Sequence, residues 1–227
     1  IGKREIERLF GRTPQVYTDL DEALANDEIQ AIDVATEPSY HHQVAIPSLQ
    51  TGKHVLCEKP LGLTMKACQA MIDAAEDNGV VLATAENLRR DPPNRLVRAI
   101  LEAGLLGDPY LMIHNSLGGN DKMIITPWRH LKDKGAIGLD MAVHYTDIVQ
   151  YYMGPFAQIY GTGWIVEPVR YKPDDSGLKL ESYVERLKTF PDSIEATGED
   201  SVFAMYKMES GAMVQFNYAG GGRGSSG

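Results

Sequence analysis

The chain's 227 residues, 43% of them hydrophobic, supply core enough for one large domain or two modest ones. Charged residues at 23% exclude a disordered or coiled-coil composition, and a formal net charge of −9 argues against nucleic acid and anionic membranes as partners. Two cysteines, Cys57 and Cys68, lack metal-ligand spacing and are too few for a disulfide framework, so they read as buried or half-buried thiols of a reducing compartment. No signal peptide and no apolar run of membrane-spanning length is found, and the expected location is cytoplasmic.

Residues 1–11 look like the end of a helix. QVY at 15–17 is a short strand candidate, and Asp19 with Glu22 three residues on starts the next helix in a capping-box arrangement. Apolar strands are expected at 31–36 (AIDVAT), 54–59 (HVLCEK) and 80–87 (VVLATAEN). Helices fill the intervals, one at 40–51 closed by Gly52 and one at 64–78 closed by Asn78-Gly79, where a left-handed residue suits a helix C-terminus. This alternation implies parallel βαβ units with both sheet faces covered. Nothing resembling G-x-G-x-x-G precedes it, so the first strands of a dinucleotide-binding sheet are expected to be missing from this chain.

Asp91-Pro92-Pro93 breaks the pattern. A helix follows from about Asn94 to Ala103, stopped by Gly104, and then strands dominate, at 110–116, 158–166, 200–208 and 212–218. The last two form a hairpin around Ser210-Gly211. The fold class is therefore α/β plus α+β: a partial parallel sheet over 1–91, then a second domain over 92–227 with a mostly antiparallel open sheet. Residues 172–188 read as a solvated excursion, and the tail GGGRGSSG has linker composition. Residues 138–153 form a helix apolar almost all round, hence buried. Its polar residues Asp140, His144, Asp147 and Tyr151 make one stripe. Two readings of the stripe stand: the wall of a polar cleft, or a core network in which His144 bonds Asp140 or Asp147.

Three constellations line up: Thr36-Glu37-Pro38 followed by His41 and His42, Glu58-Lys59-Pro60, and Asp140 with His144 and Asp147. The first two lie at carboxyl ends of strands, where open α/β sheets bind ligands. The run from Ala31 to Asn87, above all GKHVLCEKP, resembles the second half of the Rossmann domain of the glucose–fructose oxidoreductase / inositol dehydrogenase superfamily. The run from Pro127 to Gly154 resembles that family's active-site segment. The chain departs from the family in lacking the N-terminal glycine loop and in stopping after the 200–218 hairpin, where the family's open sheet continues.

The resemblance implies an NAD(P)-dependent oxidoreductase. A hydride passes between nicotinamide and a secondary hydroxyl of a sugar, sugar derivative or cyclitol. Lys59, Asp140 and His144 are the implied catalytic residues. His144 suits the base that takes the hydroxyl proton, Asp140 would hold its tautomer or a neighbouring hydroxyl, and Lys59 would face the developing alkoxide. The implied cofactor-binding set is Thr36, Pro38, His41, Glu58, Lys59, Asn87, Trp128 and Arg129, with NAD or NADP as cofactor and no metal. Spacing to Gly52 favours His41 as the family histidine, and spacing from Pro38 favours His42. Arg89 and Arg90 are read as solvated, and Tyr145, Tyr151 and Tyr152 as core or rim residues. The Lys59–Pro60 peptide is expected to be cis. The free sheet face implies a homodimer or homotetramer. The alternatives are a relative that uses NAD transiently for elimination or glycoside cleavage, and a dinucleotide-binding regulator without catalysis.

Overall fold

The computed structural model describes residues 2–174 and 181–222. Helices α1 (Gly2–Phe10) and α2 (Leu20–Leu24) lead into a parallel sheet of β1 (Ala31–Val34), β2 (His54–Cys57) and β3 (Leu82–Thr84), in that spatial order. Helices α3 (His41–Gln50) and α4 (Met65–Asp77) make the crossovers. Local chemistry sets their ends. The Asp19 side chain accepts the N–H groups of Asp21 and Glu22, and the Thr64 hydroxyl accepts that of Ala67. Gly52 and Gly79 stop the two crossover helices with φ of 77° and 63°.

Two expectations fail in this first half. Residues 15–17 form no strand, because no described strand runs beside them to supply a ladder. The sheet is covered on one face only among the described residues. Val34, Val55 and Cys57 pack with Ala45, Leu49, Met71 and Ala75, whereas Asp33, His54 and Leu56 on the other face are exposed. Successive crossovers of one hand put α3 and α4 side by side. The strands are also shorter than their apolar runs, and the residues beyond their carboxyl ends turn away to form loops.

The second half opens with α5 (Pro92–Glu102), two residues earlier than the sequence suggested, since proline is well suited to the first helical positions. Then follow β4 (Leu111–Leu117), α6 (Ile137–Met153), β5 (Phe156–Trp164), β6 (Val169–Tyr171), α7 (Glu181–Leu187), β7 (Ser193–Glu195), β8 (Ser201–Met208) and β9 (Met213–Ala219). The main sheet runs β4-β9-β8-β5. Pairs β9–β8 and β8–β5 are antiparallel and β4–β9 is parallel, so the sheet is mixed. The hairpin turns at Gly211, with φ 89°. Helix α6 covers one face: Val149 packs against Ala204, Tyr206, Phe216 and Tyr218. The expected solvated excursion at 172–188 partly falls outside the described residues. Its described end instead folds into α7, which buries Leu187 with Phe190 and Met123 beside the β6–β7 ribbon. No helix among the described residues is long and apolar enough to cross a membrane.

A short helical turn, Pro127–His130, connects β4 to α6. His130 is fully buried, and its Nε2 accepts the Ile124 N–H at 2.9 Å. Burial, reinforced by the nearby positive charge of Arg170, holds its pKa down to about 4 from 6.5. The unfolded chain therefore takes up this proton first. The stabilisation is complete above pH 6.5 and is lost as pH falls towards 4. Over that window we expect a loss on the order of 3 kcal/mol from this residue. Chemical denaturation at stepped pH checks it: the pH dependence should be shallower in His130→Gln.

Candidate active site

The turn after β2 carries Glu58-Lys59-Pro60, with the Lys59–Pro60 peptide cis as expected. The segment after β3, Ala85-Glu86-Asn87, runs into a short helical turn at Leu88–Arg90. Both lie beyond carboxyl ends of parallel strands, and α6 crosses from the second half to meet them. A pocket of about 210 Å³ results, lined by Leu56, Glu58, Lys59, Ala85, Glu86, Asn87, Arg90 and His144. The start of α6 is fixed by a close approach: the Gly138 N–H donates to the Glu199 carbonyl at 2.7 Å, and a Cβ at Gly138 would lie 2.6 Å from that oxygen. Ala136, just before the helix, sits at φ 56°, a conformation unfavourable for a residue with a Cβ.

Asp140 lies one helical turn before His144 and is almost wholly buried. Its Oδ1 accepts from Lys59 Nζ at 2.9 Å, and Nζ also donates to its backbone carbonyl at 2.9 Å. Its Oδ2 accepts from Arg129 Nε at 3.1 Å, while the same guanidinium reaches the Thr126 hydroxyl at 2.9 Å. An ammonium has three N–H groups, so Lys59 retains one donor for the pocket it lines.

His144 has neither of its helix neighbours as a partner. Its Nδ1 lies 2.7 and 2.8 Å from the two carboxylate oxygens of Glu86. A carboxylate only accepts, so Nδ1 carries the proton and the Nε2 lone pair is left free. No described residue hydrogen-bonds Nε2. The expectations that Asp140 holds the His144 tautomer, or that Asp140 or Asp147 satisfies the ring, are corrected. Side chains one turn apart on one helix run side by side, and each is met head-on by a group from another element. Asp147 meets Arg89, which is ion-paired while its side chain stays partly exposed. Glu86 lies at the carboxyl end of the 80–87 run, and nothing in its spacing marks it as the partner of a histidine 58 residues on.

The expected cofactor residues divide. Glu58, Lys59 and Asn87 line the pocket. Thr36 is exposed at the end of β1, and Pro38 is buried. Of the two candidate histidines, His41 bridges the strand-end turns. It is fully buried, with Nδ1 2.9 Å from the Pro60 carbonyl and Nε2 3.1 Å from that of Thr36. It thus holds the lysine turn from behind and does not face the pocket. Trp128 faces a second cavity of about 430 Å³ with Glu37, Thr126 and Arg186, and its ring lies 4.4 Å from the Arg129 guanidinium carbon. Cys57, fully buried behind Glu58, has its thiol pKa pushed up to about 12 by burial, which keeps it protonated and unreactive. Cys68 is half-buried, and both thiols are free. Among the described residues no group of three His, Cys, Asp or Glu side chains is placed to hold a metal ion.

Residues 3–86 match a family model described as "Oxidoreductase family, NAD-binding Rossmann fold", and residues 94–224 match one described as "GFO/IDH/MocA C-terminal domain". The levoglucosan dehydrogenase of Pseudarthrobacter phenanthrenivorans is 32% identical over 174 residues, 72% of this chain and 43% of that protein. The myo-inositol 2-dehydrogenase of Thermotoga maritima is 28% identical over 151 residues, 66% of this chain and 44% of that protein. A levoglucosan dehydrogenase in complex with NADH and levoglucosan superimposes with a TM-score of 0.74 at 25% identity, over 99% of this chain and 56% of that one. The chain spans about half the length of the relatives it matches.

The Asp140 triad carries a stability prediction. Asp140→Ala leaves Lys59 and Arg129 as neighbouring, mostly buried cations without their anion. Unfolding free energy is expected to fall by about 3–5 kcal/mol in urea denaturation. Asp140→Asn, which keeps the shape and one acceptor, should lose less.

Proposed function

The chain belongs to the GFO/IDH/MocA oxidoreductase family, and from that premise we propose that its pocket performs NAD(P)-dependent hydride transfer at a secondary hydroxyl of a sugar, sugar derivative or cyclitol. The observation that carries the proposal is the His144 ring, locked by Glu86 on Nδ1 with Nε2 free, in the same pocket as a lysine held by a buried carboxylate. The substrate class is supported by the sugar and cyclitol dehydrogenases among the relatives.

The pocket's residues fit a nicotinamide ring at the carboxyl ends of the strands. Leu56 and Ala85 offer apolar surface, and Glu58 and Asn87 offer polar groups at its edge. Bound there, the cofactor supplies the acceptor or donor of the hydride. The protein handles the proton. His144 Nε2 takes it from the hydroxyl as the C–H bond gives up its electron pair, leaving a carbonyl. Glu86 holds the ring in the competent tautomer and balances the charge it gains. The remaining Lys59 N–H donates to the substrate oxygen as negative charge develops on it. In the reverse direction the same groups return the proton to the alkoxide.

Screening levoglucosan, myo-inositol and further sugars and cyclitols with NAD and NADP at the nicotinamide absorbance tests the reaction and separates the cofactors. With the best substrate, His144→Ala should lower turnover by roughly two to four orders of magnitude. Cofactor affinity and melting temperature should change little. A variant that melts early yet keeps its turnover per folded molecule would make His144 a core residue.

Association through the main sheet of the second half is part of the proposal. The face away from α6 is apolar and wet, with Leu111 51%, Ile113 56%, Met205 53% and Met213 42% exposed across three neighbouring strands. A surface of that kind favours pairing with a second copy, giving a homodimer or homotetramer. Light scattering of the intact protein should report such an assembly, and Ile113→Lys with Met205→Lys should shift it towards monomer. Two free thiols are consistent with a cytoplasmic setting.

A further inference from the structure

The turn at Leu88–Arg90 is fastened to α6 by more than the Glu86–His144 contact. Arg89 forks onto Asp147, Nε to Oδ2 at 2.5 Å and Nη2 to Oδ1 at 2.6 Å. Arg89 follows Glu86 by three residues, and Asp147 follows His144 by three. The two bridges are therefore consecutive rungs between the same two segments, and on α6 a step of three keeps both rungs on one face. The Leu88 N–H donates to Glu86 Oε1 at 3.0 Å, inside the ladder. A further tie comes from Asn94, which donates to the Leu88 carbonyl at 2.8 Å and accepts from the Tyr152 hydroxyl of α6 at 2.6 Å.

A single bridge fixes a distance but allows rotation about itself. A second, bidentate bridge beside it fixes direction, and a planar guanidinium on a carboxylate is the side-chain pair most specific in angle. The Arg89 side chain is 42% exposed and that of Asp147 21%, so the pair adds little to global stability. What it adds is geometry.

Resting on the reading of His144 as the base, we infer that Arg89 and Asp147 form a positioning pair that aims the Glu86 carboxylate at His144 Nδ1 and so sets the ring's tautomer and direction. Neither residue touches the reacting atoms. Without the second rung Glu86 can swing about its own bridge, and the ring samples the tautomer whose proton sits on Nε2, which cannot act as a base.

The test uses the intact protein with ¹⁵N-labelled histidine. Long-range ¹H–¹⁵N correlation reads the ring tautomer without any ligand, and His144→Ala assigns the signal. Wild type should show His144 as the Nδ1–H tautomer alone. Arg89→Met should show both tautomers with an almost unchanged melting temperature, and Arg89→Lys should fall between. With the best substrate from the screen, turnover of Arg89→Met should drop up to about a hundredfold, with KM changed by less than about threefold. In an Glu86→Gln background, Arg89→Met should add little further loss, because both act through one contact. Lys132→Met, which breaks the more exposed Lys132–Glu199 pair, serves as the control and should leave both readouts unmoved. An Arg89→Met protein with the wild-type tautomer overturns the inference, as do losses that multiply in the double variant. If Arg89→Met scrambles the tautomer while His144→Ala keeps full turnover, the positioning pair stands and the catalytic reading of His144 falls.

Discussion

A carboxylate taken out of water is tolerated only if its charge and lone pairs are met inside the protein. Asp140 is such a group, and much of the geometry around the pocket follows from meeting it. Its partners are Lys59, 81 residues earlier on the turn after β2, and Arg129, 11 residues earlier on the turn before α6. Burying one side chain thereby ties three segments together. It also sets Lys59, whose backbone lies on the turn after β2 and whose ammonium is held by a helix of the second half. His41 works on the same turn from the other side, where its ring lies between the carbonyls of Pro60 and Thr36.

The charges divide the pocket into two poles. At one end Lys59 and Arg129 share the Asp140 carboxylate, with Glu58 beside Lys59 in the pocket lining. Glu86 places a negative charge behind His144 at the other. On the proposed reading, an oxygen that loses a proton would have a cation facing it, and the base that takes its proton would have an anion behind it. The stripe on α6 contributes to both poles without pairing with itself. Asp140 serves the lysine, His144 meets the glutamate, and Asp147 is used on Arg89.

Much of the fold was legible because its signals are local. The strands at 54–57 and 213–219 and the helices at 65–77 and 137–153 follow from apolar periodicity, capping side chains and glycines that accept positive φ. The misreadings share a different cause. QVY has the composition of a strand, but a strand exists only where another lies beside it. The parallel strands are apolar enough to be covered twice, yet α3 and α4 share one face. The stretch 172–188 looked solvated because its charges outnumber its apolar residues, and only contact with Met123 shows that Leu187 is core. The parallel pairing of β4 with β9 joins segments about a hundred residues apart, beyond the reach of any local pattern.

The sequence by itself determined the order of the elements, the strand-end position of Lys59, and the single face of α6 that carries Asp140, His144 and Asp147, since all three depend on residue spacing along a regular backbone. Tertiary structure alone decided who meets whom. Asp140 stands one turn from His144 and serves Lys59 instead, while Glu86, unmarked by any spacing, takes the ring. Spacing alone permits a pairing one turn apart, as Arg98 with Glu102 shows, and Asp140 and His144 go elsewhere because cations and a carboxylate from other segments are packed against their face of α6.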